Sequence, residues 1–228
     1  MPDAATKKRH RPSQERKIKT IPLPRDWEGW TVVLIAGGAS LTRGQVFEAK
    51  FAWMDGETKV MGCNNAYQIA PWIDALYCCD PEYWDAHIDA IRKTHIDELL
   101  SQDRLSCEKY GLWWTPKTKD GNIEYGFSTD PAKIHTGGNS GFQQLNIAAL
   151  RGAARIILIG YDCGHVGKKH WHPDHEGMMD KNTNYAANLE YFRKAAPLIE
   201  EIGIEVINCS PGSAIDCFRR DTIGKVLG

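Results

Sequence analysis

No stretch of this 228-residue chain approaches the ~18 consecutive apolar residues of a membrane-spanning helix. The N-terminus has no apolar h-region, so no secretory signal is expected. The seven cysteines, at 63, 78, 79, 107, 163, 209 and 217, are odd in number and form no C-x-x-C pair. That argues against a disulfide framework and against a zinc ribbon. Cys63, Cys78, Cys79 and Cys209 sit in or at the ends of apolar runs, where free cysteine behaves as a small core residue. A reducing cytoplasm is the expected compartment. Several enzyme signatures are also missing. There is no G-x-x-x-x-G-K-[ST] phosphate loop, no G-x-G-x-x-G dinucleotide fingerprint and no G-x-S-x-G nucleophile elbow. No Asp-x-Asp follows an apolar strand to hold a divalent metal on a nucleotide sugar. Asp55-Gly56-Glu57 is the nearest approach, in an expected surface turn.

What is present is an ordinary globular composition, 42% apolar and 25% charged, in a chain long enough to bury a core without staples. The net charge of −1 hides an asymmetry. Residues 1–20 carry seven Lys or Arg against Asp3 and Glu15, a net of +5. Residues 1–26 therefore read as a basic flexible arm ending at Pro22 and Pro24. Such an arm either solubilises the chain or meets a polyanion such as nucleic acid. Residues 27–228 read as a single domain.

Apolar runs over 31–36, 59–63, 75–79, 133–136, 155–160 and 205–209 predict strands. Several are continuously apolar, as strands buried on both faces are. Helical spacing predicts helices over 81–100, 141–152 and 185–202, with a short one after Ser213. Strands alternating with helices imply βαβ units. The expected fold class is α/β, a Rossmann-like, mostly parallel sheet with helices on both faces. Residues 101–130 break the rhythm and read as an inserted irregular lid or hairpin, and 163–184 form a second long loop.

In an open parallel sheet, ligands bind at the carboxyl ends of the strands. The first strand ends in Gly37-Gly38-Ala39-Ser40, where backbone N–H groups could approach a phosphate. A tight turn with Ser40 or Thr42 as helix cap is the plainer alternative. The second strand ends in Asn64-Asn65 and the third in Asp80-Pro81, each also a plausible cap. The fourth leads into Gly137, Gly138, Asn139, Ser140 and Gly141, a second Gly-rich turn before a helix. The fifth ends at Asp162, where a carboxylate commonly accepts ribose hydroxyls.

Residues 164–177 hold His165, His170, His172 and His175 with Asp174, half of the eight histidines. One of them could serve as a general base, because neutral imidazole is poised near pH 7. His170, His172 and His175 could instead ligate a metal. An ordinary polar loop is the third alternative.

The ordered motifs "GGAS", "NNAY", "LYCCD", "TGGNSG", "ARIILIGYD" and "VINCSPGSAIDCF" resemble those of the single-domain bacterial sialyltransferases. They are similar too in the flagellin-glycosylation motility accessory proteins, the archaeal pterin diphosphokinases and relatives in phage genomes. The resemblance covers residues 30–220 through short motifs. It implies that Gly37, Gly38 and Ser40 hold a nucleotide phosphate, and that Asn64 or Asn65 lies beside the nucleotide. It implies further nucleotide contacts from Asn139, Ser140 and Asp162, and His172 or His175 as general base. The histidine cluster departs from the pattern, which has one clear base. The expected activity is transfer of a glycosyl group from a nucleotide sugar to an acceptor hydroxyl, without a required cofactor. An ATP- and Mg²⁺-dependent diphosphokinase is the alternative, and a nucleotide- or nucleic-acid-binding protein without catalysis the third.

Overall fold

The computed structural model describes residues 19–20, 23–118, 127–164, 170–173 and 184–228. Among the described residues there are nine strands: β1 (Lys19–Thr20), β2 (Thr31–Ile35), β3 (Thr58–Cys63), β4 (Ala75–Tyr77), β5 (Glu98–Ser101), β6 (Trp113–Trp114), β7 (Arg155–Ile159), β8 (Glu205–Asn208) and β9 (Arg219–Arg220). The helices are α1 (Arg43–Met54), α2 (Ala66–Ile69), α3 (Pro81–Ile91), α4 (Arg104–Tyr110), α5 (Ser140–Leu150), α6 (Tyr185–Glu201) and α7 (Ile223–Leu227). The strands form one sheet in the order β1-β6-β5-β4-β3-β2-β7-β8-β9, and every pairing is parallel. The chain has the α/β, Rossmann-like fold with helices on both faces.

The continuous apolar runs divide by strand alternation. Val32, Leu34, Ile156 and Leu158 face a core that holds α5 and α6. Val33, Ile35, Ile157 and Ile159 face a second core that holds α1, α2, α3 and α7. Helix α3 stops at Ile91 rather than continuing to Leu100, because Thr94 closes its end. The Thr94 hydroxyl donates to the Ile91 carbonyl at 2.6 Å, and Leu99 and Leu100 then belong to β5.

Residues 101–118, which read as the start of an insertion, continue the strand–helix rhythm through the end of β5, α4 and β6. The expected strand at 133–136 reduces to a single bridge between Ile134 and Lys117. Lys19 and Thr20 extend the sheet beside β6 although they lie within the basic stretch. Residues 1–18, and with them most of the arm, lie outside the described residues. Among the described residues no helix is long and apolar enough to cross a membrane.

Candidate active site at the sheet switch point

Strand β2 lies between β3 and β7, so the strand order reverses there. The loops leaving β2 and β7 line a crevice there, the position where open α/β sheets bind ligands. Its lining includes Gly37, Gly38, Asn64, Asn139, Ser140, Gly141, Asp162, His170 and His172. These residues are scattered over more than 130 positions of sequence, and the topology brings them to one place. Ser40, Asn65, Asp80, Gly137 and Gly138 are not part of the lining. His175, His165 and Asp174 lie outside the described residues.

The two glycines of the first turn have different tasks. A Cβ on Gly38 would lie 2.5 Å from both the Asp162 carboxyl carbon and the Gly160 carbonyl oxygen. The Gly38 N–H donates to that carbonyl at 2.8 Å. Gly38 thus makes room for the protein's own 160–162 loop. A Cβ on Gly37 would instead sit 3.4 Å from His170 Nδ1 and 3.8 Å from His172 Nε2. Gly37 is the one that leaves the crevice bare.

Asp162 ties these loops together. Its carboxylate accepts from the Ser40 N–H at 2.9 Å and from the Ser40 hydroxyl. Ser40 therefore acts through Asp162, which lines the crevice with its other lone pairs. The "CSPGS" segment fixes the same loop from β8. Ser210 Oγ accepts from the Tyr161 N–H at 2.8 Å, and Ser213 Oγ donates to the Tyr161 carbonyl at 2.5 Å.

Helix α1 does not offer its N-terminus to the crevice. Thr42 and Gln45 close it with a reciprocal capping box. Helix α5 does. Asn139 is its N-cap, accepting from the Phe142 N–H at 2.8 Å while its amide donates to the Gly137 carbonyl at 2.9 Å. The N–H groups of Ser140 and Gly141, in the first turn, are left without intrahelical acceptors at the crevice wall. Such groups, with the helix dipole behind them, favour an anion. Gly137 is explained locally: its φ is +49°, and a Cβ there would lie 2.1 Å from the Phe142 ring. Asp80 starts α3, followed by Pro81 in the first helical turn.

Among the described residues only Asn64 and Cys163 combine a side chain with positive φ, at 50° and 49°. Both line the crevice. Backbone strain of this kind concentrates at functional sites. The Asn64 Oδ1 is also buried without a hydrogen-bond partner among the described residues. An unsatisfied buried acceptor costs roughly 1–3 kcal/mol, and a ligand N–H or O–H would relieve it.

Two histidines sit above the first turn. A bridge between Gly38 and His170 holds the segment there. His170 Nδ1 donates to the Gly37 carbonyl at 3.2 Å, and its ring stacks on that of His172 at 4.9 Å. His172 is 7% exposed, and its Nδ1 lies 2.7 Å from the Pro173 carbonyl. A carbonyl can only accept, so the proton of the neutral ring is on Nδ1. The Asn65 side-chain amide lies 3.2 Å from the same atom. The lone pair is then on Nε2, the atom facing Gly37. Asn65 is a positioning residue for this ring.

The crevice thiols are not nucleophiles at neutral pH. Burial, with Cys79 nearby, pushes the Cys63 thiol up to about 12. Burial, with Asp162 and Cys217 nearby, pushes Cys163 up to about 12. Among the described residues no group of three His, Cys, Asp or Glu could hold a metal ion.

Sequence reasoning missed Tyr185 and Asn188, which α6 contributes to the lining. The signal was a polar residue on an apolar face: Asn188 shares the buried stripe with Tyr191, Phe192, Ala195 and Ile199. Buried Gln144 was missed too. Its amide donates to the Tyr161 hydroxyl at 2.6 Å, and that hydroxyl donates to the Gly141 carbonyl at 3.0 Å.

No known protein family and no curated protein matches the chain. Among solved structures, the MAf glycosyltransferase from Magnetospirillum magneticum AMB-1 has a similar fold, with a TM-score of 0.60 at 13% identity. The similarity covers 92% of this chain and 37% of that one, so this chain spans little more than a third of its length. BdcA from E. coli is similar at a TM-score of 0.28 and 18% identity, over 88% of this chain and 90% of that one.

Proposed function

We propose that the protein is a glycosyltransferase that takes its sugar from a nucleotide-activated donor and passes it to an acceptor hydroxyl. The observation that carries this reading is the convergence, at one switch-point crevice, of the two first-turn N–H groups of α5 that lack intrahelical acceptors, a strained Asn64 with an unsatisfied oxygen, and the His172 ring. The fold shared with a solved glycosyltransferase supports it. In this reading the donor phosphate lies against the Ser140 and Gly141 N–H groups, in the space that Gly37 leaves open. Asn64 Oδ1 accepts from a donor N–H or hydroxyl.

His172 Nε2 takes the proton of the acceptor hydroxyl. The acceptor oxygen bonds to the anomeric carbon, and the bond from that carbon to the phosphate oxygen breaks with its electron pair on the phosphate. The α5 N-terminus stabilises that leaving charge. The resulting imidazolium keeps its Nδ1–H on the Pro173 carbonyl, so the ring need not turn between the two states.

The competing diphosphokinase chemistry would need Mg²⁺ held near ATP. Among the described lining residues Asp162 is the one carboxylate, and Ser40 already occupies part of it. The two readings separate in a turnover assay with nucleotide sugars and with ATP, each with and without chelator. The glycosyltransferase reading predicts chelator-resistant release of nucleotide from a sugar donor. It also predicts a loss of about 10²–10⁴ in kcat for His172→Gln. Chelator-sensitive use of ATP alone, or full activity in His172→Gln, would overturn it.

A further inference from the structure

Helix α1 is apolar on both sides. Val46, Ala49 and Ala52 face the core, as expected for a surface helix. The opposite stripe carries Phe47, Phe51 and Met54, exposed by 59%, 51% and 63%. The Phe47 and Phe51 rings pack edge to face at 4.5 Å on that outer surface. A solvated face would normally be polar there, and a contiguous exposed apolar patch marks an interaction site.

The ends of the stripe carry charges of the wrong sign for the helix itself. Exposed Arg43 opens the first turn and exposed Asp55 caps the last, with no acidic residue in the first turn and no basic one in the last. The macrodipole disfavours both placements. Gly44 is a second anomaly. Its backbone has no positive φ, and a Cβ there would meet nothing nearer than Thr42 Oγ1 at 3.7 Å. Nothing inside the chain requires glycine at a helical position where Ala would be favoured by ~1 kcal/mol.

We infer that this face binds a second copy of the same chain, with the two α1 helices antiparallel across a two-fold axis. One register answers every anomaly at once. It sets Phe47 against the partner copy's position 51 and Phe51 against its position 47. The same register sets Arg43 against position 55, and Gly44 against position 54. Each Arg43 then meets both an opposite charge and the negative end of the facing helix. Each Asp55 meets the positive end. Each Met54 has the bare backbone of Gly44 to lie on. A two-fold interface must be self-complementary, and this stripe is.

The site at the switch point is not involved, so the inference stands apart from the proposed activity. It is tested on the full chain by sedimentation equilibrium from 1 to 100 μM, with circular dichroism and Tm to verify folding. The wild type is expected to reach twice the 25.6 kDa protomer mass. Arg43→Asp and Asp55→Arg are each expected to weaken association at least about tenfold, since like charges then face each other. The double variant is expected to regain it. Gly44→Leu should raise or keep Tm in dilute solution yet also weaken association. A wild type that is monomeric at 100 μM would overturn the inference. So would a dimer indifferent to both single charge reversals, or a failure of the folded double variant to recover.

Discussion

At the scale of single residues, adjacent glycines do opposite work. Gly38→Ala would drive a methyl group into Asp162 and the Gly160 carbonyl. Overpacking of that kind typically costs about 1–3 kcal/mol, and chemical denaturation should show a loss in that range. A variant as stable as the wild type would remove the packing role assigned to Gly38. Asn64 presents the reverse case. A left-handed backbone costs an ordinary L-residue roughly 1–2 kcal/mol, and less for Asn. Asn64→Gly should therefore be no less stable than the wild type, up to ~1 kcal/mol more so, while losing ligand affinity. Equal affinity in a folded Asn64→Gly would show that the strain and the unsatisfied oxygen serve no ligand. Both glycine turns and Asn64 were legible as sequence. The division of labour between Gly37 and Gly38 was not, because it depends on how the β7 loop crosses the β2 loop 122 residues away.

At the scale of elements, the strands that line the core were readable because they are buried on both faces and so continuously apolar. Helix α1 was not readable. Phe47, Phe51 and Met54 on its outer side fill in the gaps that would otherwise give the 3.6-residue period. The short outer strands β1, β6 and β9 each have two residues, too few for any alternation to register. The histidine segment was legible as a cluster. Which nitrogen of His172 carries its proton came only from the Pro173 carbonyl beside it.

The strand ends also carry a consequence for pH. Cys63 at the end of β3 and Cys209 just after β8 are thiols raised by burial from 9.0 to about 12 and about 11. Cys107 in α4 is raised to about 12 for the same main reason. In the native state these thiols stay protonated, while in the unfolded chain they ionise near pH 9. Above that value the unfolded chain binds fewer protons, so stability falls with rising pH. The stability is fully present below pH 9 and is lost as pH climbs toward 11–12. Tm should fall between pH 8.5 and 10, and the fall should be shallower in Cys63→Ala. A Tm that is flat over this range, or falls identically in the variant, would contradict the burial argument.

At the scale of the whole molecule, the reversal of strand order between β3 and β7 decides where function can sit. The sequence predicts a parallel sheet and therefore a carboxyl-edge site. It does not show that β2 is the strand at which the order reverses. Given that topology, Asn64 after β3, Asp162 after β7, the α5 start and the 170–173 segment must meet. Gly37 is the point in that meeting where an added side chain would enter the crevice without disturbing the fold. The most direct test is isothermal titration of nucleoside mono- and diphosphates into the wild type and into Gly37→Ala. The account predicts binding by the wild type, and at least about tenfold weaker binding by a variant whose Tm is unchanged. Equal affinity in a correctly folded Gly37→Ala, or no nucleotide binding by the wild type at millimolar concentration, would contradict it.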